Sequence, residues 1–356
     1  MKASTTIIAI AIVAALCIGG ISIVLNNNAD PSGNLTVVDM EGREVSVPKG
    51  VDHVACISQS ATDLMIAFGL GDKITGTYRS FTYNTWASEI YPHAKDYKPY
   101  SYSVAAEELV ADGIRLVITQ DTENADSFRN AGIPVVAVHQ YTDDASFDDE
   151  IYKTAEIIGE IFNAKDKADA WIKDVKEAIA DVKKAIGNVK TDNSVYYVNG
   201  EKSKGLYYSD GGKSMISTLV NISNCVLATE KYHVLNVHKV SDEEMVSLNP
   251  YSIIIGGAYQ NNLVDSLESS PVWSTLDANT SGRVYRIPVA MVGMENISAE
   301  TPVMIKYLAH LLNEDYEYDI HEGLRDNILK YFGYSLTDED VDNMCMGLSK
   351  DGSRMV

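Results

Sequence analysis

The sequence predicts an α/β protein of two lobes with mainly parallel sheets flanked by helices. One long rigid backbone helix joins the lobes, and an N-terminal membrane anchor or signal segment precedes them. Three observations predict this. Short apolar runs alternate with amphipathic ones in both halves of the chain, as a parallel sheet wrapped by helices requires. Between the halves, residues 147–186 read FDDEIYKTAEIIGEIFNAKDKADAWIKDVKEAIADVKKAI, without Pro and with apolar residues stepping by three and four. A length of 356 residues with 46% apolar content suffices for two cores of roughly 130 to 150 residues each.

The expected order is an anchor or signal segment over 1–25, a linker over 26–34, and an N-terminal lobe over 35–146. A spine region over 147–187 and a C-terminal lobe with C-terminal helices over 188–356 follow. Residues Ile7 to Leu25 are an uncharged run of 19 with Lys2 as the positive flank, at the threshold for crossing a bilayer. A cleaved signal is usually shorter and ends in small residues, so a retained anchor is expected, with the rest of the chain outside the cell membrane. Cys17 lies inside this run, preceded by Leu16 rather than a small residue, and reads as a passive cysteine.

In the first lobe, LTVVDMEGREVSVP gives a hairpin around Glu41 and Gly42. VDHVACIS follows as a strand, SATDLMIAFGLG as a helix ending at Gly69, and KITGTY as a strand. VAAEELVADG and NADSFRNAG read as helices, IRLVIT and IPVVAVH as strands. The spine breaks at Asn163; beyond it Asp166 puts an acid in the first turn, and Lys183 and Lys184 put cations in the last, matching the helix dipole. Asp166 to Ile186 spans about 30 Å.

The second lobe repeats the plan: strands SVYYVN, CVLAT, YSIIIGG and RVYRIP, and helices GGKSMISTLVNIS, SDEEMVSLNP and ETPVMIKYLAHLLN. There is an internal echo. VAAEELVADGIRLVIT from Val104 lies over VSDEEMVSLNPYSIII from Val240, with Glu107 on Glu243 and Val110 on Val246. The tail reads as helices packed on the second lobe, starting with a capping signal at Thr337 to Asp340 and fraying after Ser349.

A net charge of −21 excludes a nucleic-acid partner, which needs clustered Lys and Arg. Cys56, Cys225 and Cys345 have no metal or redox spacing and read as mostly free, buried thiols. The seven histidines are scattered, without a HExxH pattern, so no metal site and no cofactor are expected. With no nucleophile elbow or phosphate loop, the chain reads as a non-enzyme.

These segments, in this order, resemble the substrate-binding proteins of ABC importers that take up iron–siderophore complexes, cobalamin and haem. The likeness is carried by VVDMEGREVSVP, VDHVACISQSATDLMIAFGLGDKITGTYR, AEELVADGIRLVI, AGIPVVAV, SDEEMVSLNPYSIIIGG and SPVWSTLDANTSGRVYRIP. It runs from about Leu35 to the C-terminus. The resemblance implies two lobes on a rigid helix with little hinge closure, a ligand held between them, and a monomer that delivers it to an ABC permease and its ATPase. It also implies one permease-docking glutamate per lobe, which by motif fall on Glu107 and Glu243, with Glu108 and Glu244 as neighbours. The plain alternative for each is a solvated acid near a helix N-terminus. In PVAMVGMEN the family often carries an aromatic residue where Met291 and Met294 stand here.

The candidate ligand contacts sit in loops beside strands, where α/β lobes place them. In the first lobe they are Tyr78, Arg79, Tyr83, Trp86, Tyr100 and Tyr102; in the second, Tyr207, Tyr208, Lys213, Tyr259 and Met294. Tyr and Trp offer flat faces with polar tips to a large planar ligand, and Arg79 or Lys213 could meet its acidic groups. Surface tyrosines in a Tyr-rich chain are the plain alternative. The expected ligand is a ferric siderophore or similar chelate, with cobalamin or another corrinoid next and haem third. A surface sensor that does not deliver, or a hydrolase on the same scaffold, are the other classes.

Overall fold

The computed structural model describes residues 33–138, 147–187, 191, 193–200, 202–232 and 237–355. The expected anchor over 1–25 lies outside them. Among the described residues no helix is long and apolar enough to cross a membrane.

The chain opens with an antiparallel hairpin of β1 (Asn34–Val38) and β2 (Glu44–Pro48). Gly42 takes the positive φ of 75° that its turn demands. The first lobe then alternates β3 (Val54–Ile57), α1 (Gln59–Ala67), β4 (Ile74–Tyr78), two short helices α2 (Arg79–Tyr83) and α3 (Thr85–Ile90), and β5 (Lys98–Tyr100). It continues through α4 (Ala106–Ala111), β6 (Leu116–Thr119), α5 (Ala125–Asn130) and β7 (Val135–Ala137). The sheet is wholly parallel, in the order β5-β4-β3-β6-β7.

Residues 147–186 form two helices, α6 (Phe147–Ile161) and α7 (Lys165–Ile186). The break falls at Asn163, which has φ 52°. Left-handed backbone of this kind ends a helix and is tolerated by Asn better than by most residues. The two helices pack closely: a Cβ on Gly159 would lie 2.9 Å from the Cβ of Ala168. The 22 residues of α7 rise about 33 Å, and its buried stripe is Ala168, Trp171, Ile172, Val175, Ala178 and Val182.

The second lobe holds β8 (Ser194–Val198), β9 (Tyr208–Asp210), α8 (Met215–Ile222), β10 (Val226–Leu227), β11 (Val237–Lys239) and α9 (Asp242–Leu248). Then come β12 (Ser252–Ile255), α10 (Gln260–Ser269), α11 (Asp277–Thr280) and β13 (Val284–Arg286). Its main sheet is parallel, ordered β10-β8-β12-β13. This repeats the order β4-β3-β6-β7 of the first lobe. β9 and β11 pair separately as an antiparallel ribbon. The echo holds in detail: helix starts at Ala106 and Asp242, strand bounds at Leu116–Thr119 and Ser252–Ile255, and positive φ at Gly113 and Asn249 all correspond.

Alternation along the strands assigns the two faces of each sheet. In β3, Val54 and Cys56 join the large central core, while Ala55 and Ile57 join a separate cluster with Leu109, Val117 and Phe128. In β12, Ile254 joins the central core, while Ile253 and Ile255 meet Tyr196 and Trp273. The central core therefore runs unbroken from first-lobe Leu64 through spine Val175 to Met304 and Leu308 of α12 (Thr301–Leu312).

The tail departs from expectation. α13 (Ile320–Phe332) and α14 (Asp338–Cys345) bridge lobes and spine rather than covering the second lobe alone. Asn327 donates to the Ala299 carbonyl, and Lys330 and Tyr331 reach the spine carboxylate Asp174. Residues 346–348 are tied to both lobes, and Arg354, beyond Ser349, has an exposed partner. The Trp86 indole N–H donates to the Leu348 carbonyl at 2.8 Å, Asn261 donates to the carbonyls of Met346 and Gly347, and Arg354 pairs with Asp265. Buried donors on both lobes need these acceptors, which holds residues 346–348 in place.

Cys56 and Cys225 are free and buried, and Cys345 is free and half-buried. Burial pushes the Cys56 and Cys345 thiols up to about 12. Thiolates are therefore suppressed at both.

Candidate functional site

In a parallel sheet the loops leaving the carboxyl ends of the strands form the natural binding edge. In the first lobe that edge is a connected polar and aromatic surface. Ser58, following β3, caps α1 by accepting the Ala61 N–H, and its hydroxyl donates to Gln120 Oε1 at 3.1 Å. Gln120, following β6, donates through Nε2 to the Tyr102 hydroxyl at 2.7 Å. The Tyr102 ring stacks on Tyr78, the last residue of β4, with centroids 4.3 Å apart and planes inclined by 18°. Strands β3, β4, β5 and β6 thus contribute to one mouth. Arg79 is exposed beside it, and Tyr83 is 71% exposed.

Trp86 and Tyr100 are placed differently. Both rings are enclosed, and the Tyr100 hydroxyl donates to Asp112 at 2.7 Å. The loop holding Tyr83 and Trp86 folds into α2 and α3 because Asn84 caps the second helix by accepting the Trp86 N–H. The Asn84 side-chain amide also donates to the carbonyls of Ala290 and Met291, each at 3.0 Å. The loop leaving β4 therefore touches the loop leaving β13, so the two lobes meet beside the mouth.

The second mouth is built on glycine. A Cβ on Gly200, after β8, would lie 1.7 Å from the carbonyl oxygen of Gly256, after β12, and Gly200 has φ 82°. Only glycine allows these two strand ends to approach so closely. Gly257 N–H donates to Glu295 Oε1 at 3.1 Å, and Asn199 donates to Asp210 at 3.0 Å. Burial raises the Glu295 carboxyl to about 7, so this acid titrates near neutrality. Tyr259 lies beside Lys202, whose Nζ is 5.5 Å from the ring centroid.

Tyr208 and Lys213 are half-buried around β9. Tyr207 turns toward the core, edge-on to Trp273 at 5.8 Å, and Met294 is fully buried. The first mouth therefore brings together Tyr78, Arg79 and Tyr102, with Tyr83 near by, while Trp86, Tyr100, Tyr207 and Met294 serve packing. Ser58, Gln120, Asn199 and Glu295 were not singled out from the sequence. All but Glu295 sit within two residues of a strand's carboxyl end, and that position is the signal that could have found them. A depression of about 660 Å³ lined by Arg43, Val45, Arg129 and Pro134 lies beside the β1–β2 hairpin and includes none of these residues. Among the described residues no cluster of His, Cys, Asp or Glu is arranged to hold a metal ion.

The two docking candidates occupy equivalent places. Glu107 is the second residue of α4, and Glu243 the second of α9; both are exposed. Their neighbours are committed within the chain. Glu108 pairs with Lys98 at 3.2 Å, whereas Glu244 closes a capping box with Ser241 and accepts the Tyr232 hydroxyl. Among the described residues, neither Glu107 nor Glu243 makes an ion pair or a hydrogen bond through its side chain.

Two parallel-sheet lobes on a shared helix, with a polar aromatic mouth at the strand ends of each, define a two-lobe solute-binding protein. Residues 54–290 match the family described as periplasmic binding protein, and the chain belongs to that family. It is similar to YvrC of Bacillus subtilis, an uncharacterized ABC transporter substrate-binding lipoprotein, with 25% identity over 264 residues, covering 72% of this chain and 79% of YvrC. Two solved structures share the fold. A periplasmic solute-binding protein of Veillonella parvula superposes with a TM-score of 0.69 at 21% identity, covering 89% of this chain and 98% of that one. MolA of Haemophilus influenzae, a molybdate-binding protein of an ABC transporter with molybdate bound, gives 0.71 at 16% identity, covering 85% and 99%. The chain is therefore the substrate-binding component of an ABC transporter, with a permease and ATPase as partners and a small ligand as cargo.

Proposed function

We propose that this protein captures a ferric siderophore or similar metal chelate between its two mouths outside the cell membrane and delivers it to the permease without chemical change. The observation that carries the reading is the Tyr78–Tyr102 stack, tied by Gln120 to the strand ends of the first lobe. A fixed aromatic face with hydroxyl edges suits a bulky chelate that is apolar on one side and oxygen-rich on the other. A small oxyanion such as the molybdate held by MolA has no need of such a face. Arg79 offers a cation to an anionic rim of the ligand, and Tyr83, Tyr208, Lys213 and Tyr259 are further contacts. Docking uses Glu107 on one lobe and Glu243 on the other, whose free carboxylates fix orientation through two separate ion pairs. The N-terminal apolar run holds the receptor at the membrane.

The test is thermal-shift competition on residues 35–356 with ferric siderophores, corrinoids and haem. Stabilisation by a ferric siderophore is expected. Selective stabilisation by a corrinoid or haem would move the ligand assignment, and no stabilisation by any would remove the chelate reading. Changing Glu107 and Glu243 together to Ala is expected to abolish uptake while leaving ligand affinity intact. Unchanged uptake would rule out docking through these acids.

A further inference from the structure

The two free glutamates have a shared neighbour that the ion-pair account does not use. Val110 is 52% exposed and Val246 is 58% exposed, and they are two of only a few large apolar side chains left open to solvent among the described residues. Each lies three positions after its glutamate, one in α4 and one in α9. Residues spaced three apart occupy one helix face, so each lobe presents the same acid–valine pair. The preceding residues, Leu109 and Met245, are fully buried. Each short helix therefore buries one apolar side chain and lifts the next into water.

Local structure gives no reason for this. Valine is a modest helix former, its branched side chain being restricted against the preceding turn. It does nothing for solubility in a chain of charge −21. Two of the few exposed apolar side chains at equivalent positions of two related lobes point to a surface that is covered in use.

We propose that Val110 and Val246 are the apolar centres of two equivalent docking pads. Each fits a socket that appears twice on a two-fold membrane permease, with a cationic group at its rim. The inference rests on the receptor reading above and assigns a second component to its docking surface. Duplication of the pad calls for duplication of the socket, because equivalent surfaces bind equivalent partners. The free carboxylate beside each valine selects a cationic rim. A second copy of this chain is disfavoured by the same carboxylate, since pads packed on each other would juxtapose acids on two strongly negative proteins. The division of labour follows: the acids govern salt-sensitive encounter, and the valines, once desolvated, govern residence time.

The test compares V110S/V246S with E107Q/E243Q in binding to the cognate permease–ATPase complex in nanodiscs, with thermal melts on each variant. The valine positions are exposed, so melting temperatures within a few degrees of wild type are expected. The valine pair should dissociate at least about tenfold faster with little change in association. The glutamate pair should associate more slowly, with a flatter salt dependence. As a second measurement, a benzophenone photo-crosslinker at 110 or 246 in intact cells should capture the permease subunit from both positions, whereas one at exposed Leu329 should not. Wild-type dissociation of V110S/V246S alongside impaired E107Q/E243Q would overturn the valine pads and leave the acid docking standing. Wild-type behaviour of both variants, with no crosslink from either pad, would overturn the docking surface as a whole.

Discussion

Asp63, on the first helix of the first lobe, accepts the backbone N–H of Ala299 at 2.6 Å, one residue before the buried carboxyl of Glu300. The Trp171 indole from the spine donates to the adjacent Ser298 carbonyl at 3.1 Å. First lobe, spine and the start of α12 therefore meet at residues 298–300. Burial, reinforced by the Glu300 charge, raises the Asp63 carboxyl well above its usual range, and burial raises Glu300 to about 7. Two carboxyls this close and this dry hold at least one proton between them at mildly acidic pH.

Stability should accordingly fall as the solution becomes alkaline. Both acids are raised on folding, so the folded protein keeps protons that the unfolded chain releases. The Glu300 contribution is complete below about pH 4 and disappears as pH passes its folded value of about 7, and that of Asp63 is lost as pH rises through its own raised value. Asp63→Asn keeps an oxygen acceptor for Ala299 and removes one ionisation. Thermal melts at about pH 5 and about pH 8 should differ less for this variant than for wild type. Glu300 and Glu295, both raised to about 7, leave a residual slope that Glu295→Gln reduces further. An unaltered difference in Asp63→Asn would show that Asp63 does not hold the proton.

At the first mouth, Tyr102→Ala should weaken ferric-chelate binding by about tenfold, the scale of one lost aromatic face with its hydrogen bond. Tyr102→Phe, which keeps the stack on Tyr78 and loses the Gln120 bond, should fall between. Tyr100→Phe is the contrast. Its ring is buried and its hydroxyl serves Asp112, so it should cost about 1 kcal/mol of stability and leave affinity unchanged. Fluorescence titration measures both effects, and equal affinity losses at 100 and 102 would argue against a site built on the stack.

The C-terminal residues should matter through their carbonyls rather than their charges. Deleting residues 347–356 takes away the acceptors for the Trp86 indole and one of the two for the Asn261 amide. Each buried donor left without a partner costs about 1 to 3 kcal/mol. Arg354→Ala removes only an exposed pair with Asp265 and should leave the melting temperature nearly unchanged. Denaturant unfolding decides the point: a deletion as stable as wild type would mean that water replaces both acceptors.

The architecture was legible wherever periodicity or turn chemistry was strong. Asn163 broke the spine where the sequence placed the break, and the Glu107–Glu243 echo coincides with matching helix starts and strand bounds. What stayed hidden depends on contacts between residues distant in sequence. Short helices α2 and α3 form in a segment that reads as an aromatic loop, because Asn84 both caps α3 and bonds to the far lobe. Trp86 looks like a ligand contact by type, yet it is buried by a carbonyl 262 residues away. Glu295 has no local signature; burial, reinforced by the charge of Asp210 and opposed by the Gly257 N–H bond, holds its carboxyl above the usual range.

The spine offers the most demanding test, because its proposed task exceeds holding the chain together. Val175 is fully buried at the middle of α7, within the core that reaches Leu64 on one side and Met304 on the other. Val175→Ala removes packing at a cost of about 1 to 2 kcal/mol. Val175→Gly adds about 1 kcal/mol of helix cost and a point of bending in the helix that sets the separation of the two lobes. If that separation governs how Glu107 and Glu243 engage the permease together, uptake per folded molecule should fall more for Gly than for Ala, while ligand affinity falls little for either. Melting curves supply the folded fraction, and uptake at matched surface levels supplies the comparison. Equal uptake per folded molecule in the two variants would reduce the helix to a connector.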